Sequence, residues 1–158
     1  MINQHIFKVS TNWSKKEGES TTSPRTYSRN HTIKIKGRAE VLKISAAKAF
    51  KGDDTLHNPE DLLLSAVSSC HMMSYFYVCS QNGVEVLSYT DNAQAFLEVD
   101  KNGKGQIAKV ELYPEVIVSK PEMIEVAETL HQKANDLCFI ANSCNFPISH
   151  SATVNCSE

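Results

Sequence analysis

The sequence predicts an α+β fold, and three observations carry that prediction. Residues 6–13 and 27–36 alternate apolar and polar side chains, as half-buried strands do. Behind Asn58-Pro59-Glu60 comes a run, residues 62–84, with no Asp, Glu, Lys or Arg, which reads as a buried helix. Two further β segments, residues 84–99 and 107–118, then lead into a second helix with apolar residues at helical spacing. Strands, helix, strands, helix, without an internal repeat, is an α+β order.

Taken in order, the first strand ends at Trp13. Residues 14–26, rich in Ser, Thr, Lys and Glu around Gly18 and Pro24, form a loop or hairpin tip. In the next strand Ile33 and Ile35 face one way, Lys34 and Lys36 the other. Val41, Leu42 and Ile44 suit a short strand, and residues 46–57 a connecting loop. The first helix opens on a capping Asn58, with Pro59 in the first turn and Glu60 and Asp61 at the positive end of the dipole. It runs to about Gln81, where Asn82-Gly83 stops it. Leu62, Leu63, Val67, Met72, Met73, Phe76 and Val78 cover nearly all its faces, so protein is expected all round it. The run from Asp100 to Gly105 is a hairpin signal. Ser119-Lys120-Pro121-Glu122 resembles a capping box, opening a helix over residues 121–142. Pro147 bars more helix, and residues 151–156 suit a last strand. No linker separates independent domains, so a single domain, 1–158, is expected, with an N-terminal β lobe over about residues 1–57 and a helix-containing remainder over about 58–158.

Composition excludes several classes. With 16 basic and 18 acidic residues the net charge is -2, which argues against a general nucleic-acid binder and a polybasic membrane anchor. Residues 1–13 lack the apolar core of a secretory signal. The charge-free run is no membrane span, because Ser65, Ser68, Ser69, His71, Ser74, Ser80, Gln81 and Asn82 would all need partners in lipid. Five cysteines without a signal suggest a reducing, cytoplasmic setting.

Two thiols suggest redox chemistry. Cys70 lies ten residues after Glu60, and Cys138 lies in Cys138-Phe139-Ile140-Ala141-Asn142-Ser143. A thiol reacts as thiolate, and Cys70, mid-helix, lacks the help of a helix N-terminus. A reactive Cys70 therefore needs a cation brought by the fold, and Arg25, Arg29 and Arg38 are the candidates. Ten residues of straight helix rise about 15 Å and end nearly three-quarters of a turn past two full turns. Glu60 and Cys70 of one straight helix thus do not touch. Either the helix breaks between them or Glu60 comes from another copy. Two copies packed antiparallel, crossing near Ser65, would bring each Glu60 to the other Cys70, in a symmetric homodimer with composite sites. Cys79, about 13 Å from Cys70 on the same helix, is too far for a disulfide. Cys138 or Cys144 can supply a partner. Cys79 and Cys156 read as small buried hydrophobes, and His71 and His131 as hydrogen-bonded core histidines. A metal site drawn from Cys70, His71, His131, Cys138, Cys144 and His150 is a rival reading, although no CxxC or HxxxH spacing occurs. A non-enzymatic, stress-related binding protein is another.

The Asn58-Pro59-Glu60 start, Ser69-Cys70-His71 and the Cys138 segment together resemble the OsmC/Ohr family, the osmotically induced protein C and organic hydroperoxide resistance proteins. The resemblance spans about residues 27–146. Phe139 stands where the best-known hydroperoxide members have proline, which is more similar to the OsmC-like subgroup. The resemblance implies an OsmC-like fold, with antiparallel sheets packed on two central helices, in an intertwined homodimer. It implies a thiol peroxidase that reduces organic hydroperoxides and is recycled by an external dithiol, with no cofactor and no metal. By position, Cys70 would be the peroxidatic thiol and Cys138 the resolving one. Glu60 would orient an arginine, and Tyr27-Ser28-Arg29-Asn30-His31 favours Arg29 over Arg25 for that role.

Overall fold

The computed structural model describes residues 3–157, so Met1, Ile2 and Glu158 lie outside the described residues. The chain divides into two compact units, Met1–Leu62 and Leu63–Glu158.

The first unit holds an antiparallel sheet of β1 (Val9–Asn12), β2 (His31–Ile35) and β3 (Val41–Ile44), with β2 central. Its alternation sets the register, Ile33 pairing with Thr11 on one side and Leu42 on the other. Residues 46–57 connect as expected, with one 3-10 turn, Lys48–Phe50. The connection closes where Ser45 N–H donates to His57 O at 2.8 Å. Gly52 passes so close to the Ala46 carbonyl that a Cβ would lie 1.6 Å from its oxygen.

Helix α1 (Pro59–Gln81) is unbroken. Its start is a reciprocal cap: Asp61 N–H donates to Asn58 Oδ1 at 2.8 Å, and Asn58 N–H to Asp61 Oδ2 at 3.3 Å. It ends on Gly83, whose φ of 69° is left-handed, while Val84 N–H returns to Cys79 O.

The second unit carries two mixed sheets, ordered β4-β7-β9 and β5-β6-β8. The strands are β4 (Val86–Asp91), β5 (Gln94–Val99), β6 (Gly105–Leu112), β7 (Pro114–Val118), β8 (Ile148–His150) and β9 (Thr153–Cys156). The expectation of antiparallel sheets holds for β4 with β7 and for β5 with β6, but β8 and β9 join in parallel. The two long β segments each break in the middle and step between sheets. Asp91 fastens both corners, accepting from Tyr113 N–H at 2.8 Å and from Ser68 Oγ at 2.5 Å. The β5–β6 turn forms as its composition predicts, with Asp100 N–H donating to Lys104 O and Gly103 at φ 82°.

The second helix is shorter than its pattern suggested. A 3-10 turn (Pro121–Met123) precedes α2 (Ile124–Leu137), and another (Ala141–Ser143) follows it. The capping box does not form: Ser119 Oγ donates to Met123 Sδ, and Lys120 caps without a side-chain bond. The helix stops because Cys138 turns extended, with ψ 108°. Downstream side chains then take the freed carbonyls. Asn142 Nδ2 donates to Asp136 O and Ser143 Oγ to Phe139 O.

The second unit's larger core gathers Tyr75, Val78 and Cys79 of α1, Val116 and Val118 of β7, and Ala127, Leu130 and Ala134 of α2. A smaller one gathers Val67, Val110 and Leu112. The expectation of protein all round α1 fails in the single chain. Met73 and Tyr77 are about 60 % exposed, at 59 % and 60 %, and Phe76 is exposed at 39 %.

Candidate active site

Cys70 and Cys138 meet in the second unit. Cys70 is buried on α1 because its position falls on the helix face that also buries Val67, His71 and Tyr75. Cys138 is fully buried at the point where α2 ends, not on a helix as the sequence suggested. Their side chains are near enough that each thiol feels the other. Burial, with Cys70 beside it, pushes the Cys138 thiol up to about 11. An opposing pull comes from backbone: Ala141 N–H donates to Cys138 Sγ at 3.4 Å. That donor was invisible in the sequence, since it depends on the 3-10 turn after Cys138.

The other thiols stand apart. Cys144 packs with Ile140, Phe146 and Ile148 against the smaller core, and burial raises its thiol. Cys79 is buried in the larger core, as a small hydrophobe is, and Cys156 packs partly buried against it. All five are free.

Behind Cys70 runs a stack of rings. His71 Nε2 lies 3.1 Å from His131 Nδ1, their rings stacked at 5.5 Å. His150 lies 5.6 Å from His71, and Tyr75 stacks on His131 at 3.9 Å. Burial, then neighbouring imidazole, lowers His71 to about 4 and His131 to about 3. These are core histidines, neutral at pH 7. Parallel rings do not aim their lone pairs at one point. Among the described residues no group of three or more His, Cys, Asp or Glu is arranged to hold a metal.

Arg29 and Glu60 belong to the first unit. Arg29 donates to Pro24 O at 2.8 Å and Tyr27 O at 3.4 Å, and its guanidinium lies 4.9 Å from the Tyr27 ring centroid. Among the described residues it forms no ion pair, with Glu60 or any other acid. Glu60 Oε2 is buried and without a hydrogen-bond partner. Arg25 is exposed, and exposed Arg38 reaches only the Gly37 carbonyl. His57, just before the helix start, bridges in parallel to Ile44.

The comparisons follow the same lines. The family model described as OsmC-like protein matches residues 52–152. An OsmC-like protein of unknown function from Vibrio cholerae is 30% identical, with TM-score 0.84 over 95% of this chain and 100% of that one. An organic hydroperoxide resistance protein from Elizabethkingia anophelis is 20% identical, with TM-score 0.71 over 99% of this chain and 100% of that one. The organic hydroperoxide resistance protein OhrB of Bacillus subtilis is 17% identical, with TM-score 0.65 over 94% and 98%. No curated protein matches.

Proposed function

Because the chain belongs to the OsmC family, we propose that it is a thiol-dependent peroxidase that reduces organic hydroperoxides to alcohols. One observation carries the reading: two buried thiols, remote in sequence, lie side by side in one unit. That solved structures of this fold include organic hydroperoxide resistance proteins supports the substrate class.

Cys70 thiolate attacks the terminal oxygen of the hydroperoxide. The O–O bond breaks, the alkoxide takes a proton and leaves as alcohol, and Cys70 becomes a sulfenic acid. Cys138 sulfur then attacks the Cys70 sulfur, and hydroxide leaves as water on taking a proton. An external dithiol reduces the disulfide and restores both thiols. Arg29 supplies the positive charge that the thiolate needs, and Glu60 orients Arg29. In this reading Glu60 comes from a second copy. Three features support that: α1 is unbroken between Glu60 and Cys70, Glu60 carries an unpartnered buried oxygen, and Met73, Phe76 and Tyr77 leave apolar surface on α1 for another chain to cover. A reducing, cytoplasmic setting belongs to the same proposal, since the thiols must be recycled.

The test is a thiol-coupled assay of cumene hydroperoxide against hydrogen peroxide. The organic substrate is expected to be favoured, and Cys70→Ser to abolish turnover. Catalytic consumption by the Cys70→Ser chain, or none by the native chain, would refute the proposal and leave a binding role on this fold.

A further inference from the structure

The first unit's sheet has two chemically different faces. Residues opposite one another on paired strands point the same way, and successive residues alternate. The register sets Ser10, Lys34 and Val41 in one row and Asn12, Thr32 and Lys43 in another. Lys36 N–H donates to Lys8 O at 3.0 Å, which adds Lys8 and Lys36 just beyond the strand ends. Lys8, Lys34, Lys36 and Lys43 therefore share one face. Ile33, Ile35, Leu42 and Ile44 share the other, together with Thr11 and His31, which line the space beside Arg29. The lysines thus lie on the reverse of the sheet from the surroundings of Arg29.

These charges are uncompensated. All four lysines are exposed, and among the described residues none pairs with an acid. Glu40, in the connection between β2 and β3, is the one acid in residues 8–12 and 31–44. Residues 1–62 hold eleven Lys and Arg against seven Asp and Glu, while residues 63–158 hold five against eleven. The net charge of -2 conceals a basic first unit.

At one end of the lysine face lies a cleft of about 480 Å³, a volume that suits a small molecule. Lys8, Lys34, Lys36 and Arg38 line it, with Ser10 and Val41. Arg38 comes from the turn after β2, where Gly37 takes φ 80°. Its guanidinium reaches only the Gly37 carbonyl, at 3.5 Å, so most of its fork is unused. Backbone spacing puts Lys34 about 7 Å from Lys36 along the strand, and Lys8 about 5 Å from Lys36 across it. Cations held that close repel one another, and an anion that neutralises several at once gains most. A single phosphate meets part of the set, whereas adjoining phosphoryl groups reach across it. Among the described residues no aromatic side chain lines the cleft, so it lacks the stacking surface that single-stranded nucleic acid uses.

We propose that this cleft binds an oligophosphate, a small anion of adjoining phosphoryl groups held by Lys8, Lys34, Lys36 and Arg38. The claim concerns one face of the first unit and holds whether or not Cys70 turns over a peroxide.

The test is calorimetric titration of the full chain with tripolyphosphate at low salt. Saturable binding is expected, at least about tenfold tighter than that of inorganic phosphate at equal ionic strength, and weakened by added salt. The double variant Lys34→Gln/Lys36→Gln changes only exposed side chains and should lose at least about tenfold in affinity. Lys15→Gln/Lys16→Gln removes the same charge from a loop of the same unit and should lose less than about twofold. No saturable heat up to about 10 mM, equal binding of phosphate, or equal losses in the two variants overturns the proposal. Tighter binding of a single-stranded DNA oligonucleotide than of tripolyphosphate would overturn the assignment to a small ligand. Sedimentation with phosphatidylserine vesicles should leave the chain in solution, and co-sedimentation abolished by Lys34→Gln/Lys36→Gln would overturn the assignment to a soluble one.

Discussion

Burial holds Cys138 as a thiol at neutral pH, which suits a resolving group that must wait for Cys70 to be oxidised. Cys138→Ser is therefore expected to consume one equivalent of cumene hydroperoxide and then stop, leaving a Cys70 sulfenic acid that dimedone traps. Continued turnover in that variant would move the resolving role to another thiol. The histidine stack makes a second residue-level prediction. The unfolded chain protonates these imidazoles near pH 6.5, but the folded chain resists, at about 4 for His71 and about 3 for His131. Stability is thus whole above about pH 6.5 and falls as pH drops toward 4, by on the order of 3 kcal/mol for each imidazole. Asp91 and Asp136, which favour protonation of His71 and His150, only soften the loss. Urea unfolding at pH 7.5 and pH 4.5 measures it, and His131→Phe, which keeps a ring against Tyr75, should flatten the slope. The sequence reading had His71 and His131 as hydrogen-bonded core residues, but not that they bond each other. Sixty positions apart, their meeting depends on how α1 and α2 pack.

At the scale of elements, what was legible was what local chemistry decides. The start of α1 was readable because Asn58, Pro59, Glu60 and Asp61 act on backbone within one turn. Asn58→Ala should cost about 1 kcal/mol in thermal unfolding, and Asn58→Ser only a fraction of that. The end of α2 was not readable. Leu137, Ile140 and Ala141 keep helical spacing past the point where the backbone leaves the helix at Cys138. Asn142 and Ser143, whose side chains compete for helix carbonyls, were the overlooked signal. The misplaced boundary mattered for the site. Cys138 lies in an irregular segment, where a short backbone shift can carry its sulfur toward Cys70, instead of in a rigid helix. Gly52 is a comparable element-scale feature with no sequence signature. Gly52→Ala should destabilise the chain by about 2 kcal/mol, read in thermal unfolding, because the added Cβ collides with backbone and not with a movable side chain.

For the whole molecule, the resemblance in the sequence led to the family, and the α+β class followed from element order; the parallel joins of β8 and β9 did not, because short terminal strands carry little pattern of their own. Single-chain geometry completes the thiol pair but leaves Glu60 Oε2 and the outer face of α1 unpartnered. The composite-site reading therefore makes a prediction that no single-chain site shares. Cys70→Ser and Glu60→Gln chains, each impaired alone, should recover activity when mixed and allowed to exchange. A mixed dimer then carries one intact site, about a quarter of native sites in a statistical mixture. No recovery in dimers shown by mass to be mixed would return Glu60 to a purely structural role at the helix start.

The most direct measurement is peptide mapping of the native chain after one equivalent of cumene hydroperoxide, with the remaining free thiols alkylated after the reaction and the map compared with that of an untreated sample. The account predicts loss of two thiols together, joined as a Cys70–Cys138 disulfide, with Cys79, Cys144 and Cys156 still alkylated. A Cys70 thiol left intact, or bonded to any sulfur other than that of Cys138, would contradict it.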